Sequence, residues 1–349
     1  MKLRTLLVPF SLLYGIAVGV RNWFFEKQIL KTTKVGVPVI SVGNISVGGV
    51  GKTPFVELLL EKISGIHRCA VVSRGYGRNS TGTIVANDGN GNIAPVEQSG
   101  DEPSQLAQKF SNTIVVVDEQ RVRGAQKAIE LGATAIILDD GFQHRYLHRD
   151  GNIVVASAQE ILESDWLLPA GNRREPTSSL QRADLIIVSR CEDRAMFDSA
   201  EQKLKRFEKP AAGIQTKLKS FNRILSNQKK NVAEIQGKGV VVFSGIGHPE
   251  SFKKMLNHAG VEIIEYMVFA DHHWYDDEDL RRLENAFEND NADFIITTEK
   301  DAARLNDDFA RSFLQRLPVF AAEIRQEFLA GENLLDELLN RTITIQHKK

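Results

Sequence analysis

The sequence predicts an α/β protein with parallel sheets, in a larger and a smaller part, preceded by an apolar helix. Three observations predict it. Short runs of β-branched residues alternate with helix-length amphipathic stretches, the repeat whose long crossovers make strands pair in parallel. The charged and glycine-rich loops follow the strands, as they do where ligands bind at the carboxyl edge of such a sheet. And 349 residues exceed what one ordinary core encloses, so about two domains are expected.

Composition is that of a folded soluble chain, 42% hydrophobic and 26% charged with a net charge of −1. No basic excess points to nucleic acid. Cys69 and Cys191 are far apart, each in or beside an expected strand. That spacing forms neither a metal knuckle nor a disulfide framework and fits a reducing cytoplasm.

Taken in order, residues 1–34 form a segment of their own. Leu6 to Val20 carries no charge, Arg21 follows, and then Trp23, Phe24 and Phe25; six basic residues oppose Glu26 alone. The apolar run falls short of the ~20 residues a spanning helix needs. A secretory signal fits the basic start but lacks a small-x-small cleavage site. A buried helix and an interfacial anchor both fit, and the basic and tryptophan flanks favour the anchor, lying on a membrane rather than crossing it.

The organising stretch is Val37–Thr53, VPVISVGNISVGGVGKT. An apolar strand through Val42 breaks into Gly43, Gly48, Gly49 and Gly51, then Lys52, Thr53 and a helix over residues 54–62. Strand, glycine loop, Gly-Lys-Thr and helix make a P-loop, so Ser46, Val47, Gly48, Gly49, Val50, Gly51, Lys52 and Thr53 are expected to hold a nucleoside triphosphate. Backbone N–H groups curl around phosphates, Lys52 reaches the β- and γ-phosphates, and the Thr53 hydroxyl serves Mg²⁺. The strict pattern wants glycine at position 46, where this chain has Ser46.

Strand 68–73 ends in Arg74-Gly75-Tyr76-Gly77-Arg78, a ligand-facing loop or a solvated turn. Asp101 and Glu102 open the next helix. They either cap it and complement its dipole or offer a carboxylate able to take a hydroxyl proton. Strand 113–117 and helix 120–131 follow, and strand 133–138 delivers Asp139, placed as a Walker-B acid for Mg²⁺. Asp140, Gly141, Phe142, Gln143 and His144 continue that loop; a zinc pair of His144 and His148 would need a helix that Gly141 opposes. Strand 153–156, the loop Trp166–Pro176 and strand 183–189 complete a domain at 35–210. Weak periodicity and clustered lysines mark a linker at 211–230. A second α/β domain spans 231–349, with strands 239–244, 261–267 and 293–297. It carries Asp271-His272-His273, of which one histidine is a plausible acid/base partner and a capped, hydrogen-bonded histidine the plain alternative.

Together these stretches resemble one family, tetraacyldisaccharide 4′-kinase, the lipid A kinase of Gram-negative bacteria. The matching pieces are GNISVGGVGKTP, SRGYGR, GDEP, DDGFQH with Leu147 and Arg149-Asp150, LLPAG with REP, FSGIGHPESF, DHHWY and TTEKDAARL. Arg173 and Ala270 depart from the family pattern, which expects an apolar residue and a proline there. The resemblance implies transfer of the ATP γ-phosphate to the 4′-hydroxyl of tetraacyldisaccharide 1-phosphate, giving lipid IVA. It further implies two α/β domains joined by a small β linker, the site in their cleft, and a peripheral or monotopic place on the cytoplasmic face of the inner membrane. The implied partners are the lipid A disaccharide precursor and a membrane surface, with no nucleic acid and no obligate protein partner. By resemblance Asp101 is the base assisted by His272, Thr53 and Asp139 serve Mg²⁺, and Arg74, Tyr76, Glu102, Arg121, Asp140, Gln143, His144, Arg174 and Glu175 contact substrate or line the site. The rival reading, a GTPase-type switch, needs [NT]-K-x-D and D-x-x-G; Lys300-Asp301 and Asp139-Asp140-Gly141 fit neither.

Overall fold

The computed structural model describes residues 4, 6–271, 273–305 and 308–343. The chain divides into two compact units, one of Met1–Gln215 with Gln326–Lys349, the other of Thr216–Arg325.

The first unit opens with helix α1 (Val8–Glu26). Strand β1 (Val39–Gly43), buried throughout, leads through the glycine loop into α2 (Lys52–Ile63). Then come β2 (Cys69–Ser73), β3 (Ile84–Asp88), α3 (Asp101–Lys109), β4 (Ile114–Val117), α4 (Arg121–Glu130) and β5 (Ala135–Asp139). Strands β6 (Gly151–Ser157) and β7 (Leu185–Ser189), helix α5 (Arg194–Leu204) and the start of β8 (Ala211–Arg223) complete the outward path. Spatial order is β8-β7-β6-β1-β5-β2-β4-β3. Pairing is parallel except at the β3 edge, which runs antiparallel to β4. These strands read as unbroken apolar runs because helices cover both faces. On one face Phe55, Val56, Leu59 and Leu60 of α2, all fully buried, pack over Ile40, Val42 and Ile137.

In the second unit β8 runs on to Arg223 and pairs antiparallel with the short β9 (Lys229–Lys230). β10 (Gly239–Ser244), α6 (Pro249–His258), β11 (Glu262–Val268), α7 (Asp277–Asn289), β12 (Phe294–Thr298), α8 (Asp308–Arg316) and β13 (Val319–Ala330) follow. Their order is β11-β10-β12-β13, parallel throughout. Helix α9 (Glu332–Ile343) belongs to the first unit, where Leu335, Leu338, Leu339 and Ile343 join the core over β1 and β6.

The stretch expected to be a linker at 211–230 holds β8 up to Arg223 and the short β9: Lys217 and Lys219 point outward in alternation with inward Leu218 and Ser220. Glu323 of β13 fixes that pairing by accepting from Lys219, Ser220, Asn222 and Lys229 at 2.7–3.2 Å. Burial opposes its ionisation, yet these donors hold its carboxyl well below the usual range. The second unit also closes at Arg325 rather than at the chain end, because the apolar face of α9 is buried against the first unit.

Helix α1 is built inside out. Its buried side carries polar contacts beside buried Val18 and Phe25: the Ser11 hydroxyl donates to Leu167 O (2.8 Å) and accepts from Ala170 N (2.9 Å). Tyr14 donates to Arg174 O at 3.0 Å, and Asn22 to the Glu175 carboxylate at 3.0 Å. Phe10, Leu12, Leu13, Ile16, Val20 and Trp23 stand 47–64% exposed. No described helix is long and apolar enough to cross a membrane.

Candidate active site

The loop from β1 to α2 has a backbone suited to an anion. Gly48 and Gly51 adopt φ of 105° and 87°, a region closed to most side chains. Gly51 is the N-cap of α2, so Lys52 and Thr53 begin a helix whose first N–H groups have no partner within it. Ser46 is buried and turns away from the loop, its hydroxyl donating to Glu160 Oε1 at 2.7 Å. Backbone bonds from Val47 N to Asn172 O (2.8 Å) and from Arg174 N to Ile45 O (2.7 Å) strap the loop entrance to segment 172–174. This explains why serine is accommodated where the strict pattern has glycine: the position is anchored, not folded into positive φ. On the other flank the Ser189 hydroxyl donates to Val50 O at 2.6 Å, and the Arg190 guanidinium donates to Gly49 O.

Opposite the loop, β5 ends in two carboxylates. Asp139 is 2% exposed; its Oδ2 accepts from the Ser73 hydroxyl at 3.1 Å, while Oδ1 is buried with no hydrogen-bond partner. Burial, reinforced by the charges of Glu102 and Asp140, pushes its carboxyl up to about 7 against the pull of Lys52. Asp140, at φ 49°, takes both 3.1 and 2.8 Å contacts from Arg174 NH1 and lies 3.5 Å from the Lys52 ammonium. Burial opposes its ionisation, but the two cations hold it below the ordinary aspartate value. Arg121, 3% exposed, donates to Asp118 O at 3.2 Å and keeps a buried Nε without a partner. Burial lowers its basicity, partly countered by Asp139 and Asp140 and augmented by Arg74.

The two remaining loops meet at Gly100, the N-cap of α3. A side chain at Gly100 would strike Tyr76 O at 2.9 Å, so the loop carrying Arg74 and Tyr76 lies against the helix start carrying Asp101 and Glu102. Tyr76 is 79% exposed. Gln143 donates to Asn44 O at 2.8 Å while its Oε1 is buried and unpartnered. His144 is pushed down to about 4, chiefly by burial and then by the Arg121 and Arg149 charges, and its Nδ1 is buried without a partner. It is a neutral imidazole at neutral pH. Arg21 of α1 donates to Gln143 O, tying the first helix to this loop.

Lys52, Asp139, Asp140, Arg121 and Arg174 are thus brought together, with Arg74 and Glu102 close enough for their charges to register. Glu175, only 1% exposed, accepts from both guanidinium nitrogens of Arg182 at 2.7 and 3.0 Å, from Ser179 at 2.9 Å and from Asn22. These bonds join α1 to the loop. His272 lies outside the described residues. Its neighbour His273 bonds Asp279 Oδ2 at 2.6 Å and stacks on Phe269. Sequence reasoning missed Ser73, Asn44 and Arg190. Ser73 opens the SRGYGR stretch and Asn44 lies in GNISVGGVGKTP, which were the visible signals; nothing marked Arg190.

The profile of the tetraacyldisaccharide-1-P 4′-kinase family matches residues 3–344. A protein named tetraacyldisaccharide 4′-kinase from Flavobacterium johnsoniae is 37% identical over 339 residues, 93% of this chain and 94% of its own. One of the same name from Chlorobaculum parvum is 37% identical over 342 residues, covering 96% and 93%. A crystal structure of LpxK from Aquifex aeolicus in complex with ATP superposes with a TM-score of 0.79 at 34% identity, covering 98% of this chain and 99% of that one. The glycine loop, the paired aspartates beyond it and this end-to-end likeness agree: the chain belongs to the tetraacyldisaccharide-1-P 4′-kinase family.

Proposed function

We propose a division of labour among these residues for the reaction that gives the family its name. The chain is an ATP-dependent kinase, moving the γ-phosphate of ATP to the 4′-hydroxyl of tetraacyldisaccharide 1-phosphate in lipid A synthesis. The observation that carries the residue assignment is the convergence of Lys52, Asp140, Asp139 and Arg121 at the mouth of the glycine loop.

Phosphoryl transfer relies mainly on placement and on charge stabilisation. The loop backbone from Val47 to Thr53 binds the phosphates. Lys52 exchanges its contact with Asp140 for the β- and γ-oxygens, and Arg174 keeps Asp140 paired meanwhile. The orphaned Asp139 Oδ1 and the Thr53 hydroxyl suit an oxygen-seeking cation, so these two residues would hold Mg²⁺. Held there, Mg²⁺ would supply positive charge that neutralises the phosphates. Arg121 and Arg74 supply positive charge toward the transferred group. Asp101, at the first position of α3, removes the proton of the acceptor hydroxyl, with His272 assisting.

The acceptor carries four acyl chains, and we assign the outward apolar face of α1 to the surface from which they are presented. Its exposed Leu12, Leu13, Ile16 and Trp23, joined to the basic residues flanking the helix, suit insertion at the headgroup boundary of an anionic bilayer. In this reading the protein sits peripherally, on the cytoplasmic face of the inner membrane.

Incubating the purified chain with γ-labelled ATP, Mg²⁺ and tetraacyldisaccharide 1-phosphate in mixed micelles tests the reading. Label should enter the lipid at the 4′ position. Lys52→Ala should reduce transfer by roughly 10²- to 10³-fold with an unchanged melting temperature. Near-normal transfer by that variant would remove the glycine loop from the chemistry.

A further inference from the structure

Every group assigned so far to the nucleotide lies in loops after β1, β2, β4 and β5, or within the glycine loop itself. In the sheet, β5, β2 and β4 lie on one side of β1, while β6 and β7 lie on the other. The chain leaves β1 toward β2, returns through β5, and departs the opposite way with β6. β1 is therefore a topological switch point, where a ligand crosses the strand ends. A triphosphate whose γ end meets Asp139, Asp140 and Arg121 must direct its sugar and base toward the other flank, where β7 ends.

At that end stand Ser189 and Arg190. Ser189 holds the loop through its 2.6 Å bond to Val50 O. Arg190 has φ 55°, a left-handed backbone that a long side chain adopts only where its surroundings dictate it. Its guanidinium is half-buried, and among the described residues its recorded hydrogen bond is to Gly49 O in the glycine loop. Among the described residues Arg190 forms no ion pair, although Glu160 is near enough to influence it. One edge of a flat cation is thus pinned on the phosphate loop, and its face is left uncommitted.

We infer that Arg190 is the residue that lies against the base of the bound nucleotide, its planar guanidinium stacked on the purine ring. This rests on the nucleotide reading above and extends it to base recognition. Arginine suits the task because its fixed plane stacks on an aromatic face while its edge keeps a directed hydrogen bond. Lysine has the charge without the plane.

Inhibition constants against ATP separate the base from the rest of the nucleotide. ADP and ribose 5-diphosphate share sugar and phosphates and differ in the base. Arg190→Ala should weaken ADP by roughly tenfold while changing ribose 5-diphosphate by less than about twofold, and should raise KM for ATP more than it lowers kcat. Arg190→Lys, which keeps a cation near Gly49, should resemble Arg190→Ala toward ADP and match the parent protein in melting temperature. Equal weakening of both inhibitors would show that Arg190 shapes the phosphate loop, and the inference would be wrong. So would a variant that binds ADP normally. Failure of the parent protein to phosphorylate the lipid with ATP would instead overturn the kinase reading itself.

Discussion

Asp139 and Asp140 are chain neighbours with opposite electrostatic fates. Burial and nearby carboxylates raise one to about 7, while Lys52 and Arg174 lower the other. Such separation divides roles between chemically identical groups: Asp140 is held as an anion, and Asp139 is the one whose protonation its surroundings favour. The proposed base allows a sharper test. Asp101→Asn should lower kcat by about 10²- to 10⁴-fold with little change in ATP binding. His272→Ala should do likewise but less severely, and the double variant should lose less than the product of the two. Steady-state kinetics of the four proteins measures this, and fully multiplicative losses would make the two residues independent. His144 makes a prediction about stability. Its folded value of about 4 lies below the ordinary 6.5, so between those pH values the unfolded chain binds more protons than the folded one. Its contribution is therefore complete above 6.5 and declines as pH falls toward 4. Melting curves of His144→Gln across that window should show a flatter pH dependence than the parent; an identical slope would assign the loss to other groups.

At the scale of elements, most of what the sequence foretold came from repetition. Most of the parallel strands, β1, β2, β4, β5, β6, β7, β10 and β12, are mainly apolar runs of four to seven residues, and β10 occupies the expected residues 239–244. The P-loop was legible because its chemistry requires glycines and lysine at set spacing. The strand at 211–223 was not, since Lys217 and Lys219 disguised a half-exposed strand as a charged connection; its alternation with Leu218 and Ser220 was the overlooked sign. The bonds of Glu175 were hidden for a related reason: a carboxylate in a charged loop reads the same whether it meets a substrate or a neighbouring arginine. Helix α1 was recognised as apolar, yet only the structure shows which face is committed. Replacing Leu13 and Ile16 by Ser should therefore leave the fold intact, because neither is buried, while moving the protein from anionic vesicles to the supernatant in a sedimentation assay. Retention on vesicles would assign attachment elsewhere. Ser11→Leu, on the inner face, should instead destabilise by about 1–3 kcal/mol, since it strands Ala170 N and adds bulk at a packed contact.

For the molecule as a whole, the chain enters the second unit through β8 and leaves it through β13, and its last helix completes the first core. No local pattern announces this, because an amphipathic helix advertises an apolar face without naming the core that will bury it. The consequence is that the first unit is unfinished until α9, which follows the whole of the second unit, has been made. Leu338, 5% exposed between α9 and the sheet, should cost about 2–5 kcal/mol on replacement by Ala. Thermal unfolding followed with nucleotide bound should show that loss in the transition nucleotide protects. A loss confined to the unprotected transition would contradict the placement of α9.

On the attachment proposed for α1, its outward apolar face also governs how the rate must be described. An enzyme held at an interface by one helix meets its acceptor in two dimensions. Diluting the acceptor with inert detergent at constant bulk concentration should slow the reaction, while diluting micelles and acceptor together should leave it nearly unchanged once the protein is bound. Surface mole fraction, and not molarity, then becomes the natural unit of acceptor concentration, whereas ATP, arriving from water at the glycine loop, keeps an ordinary KM.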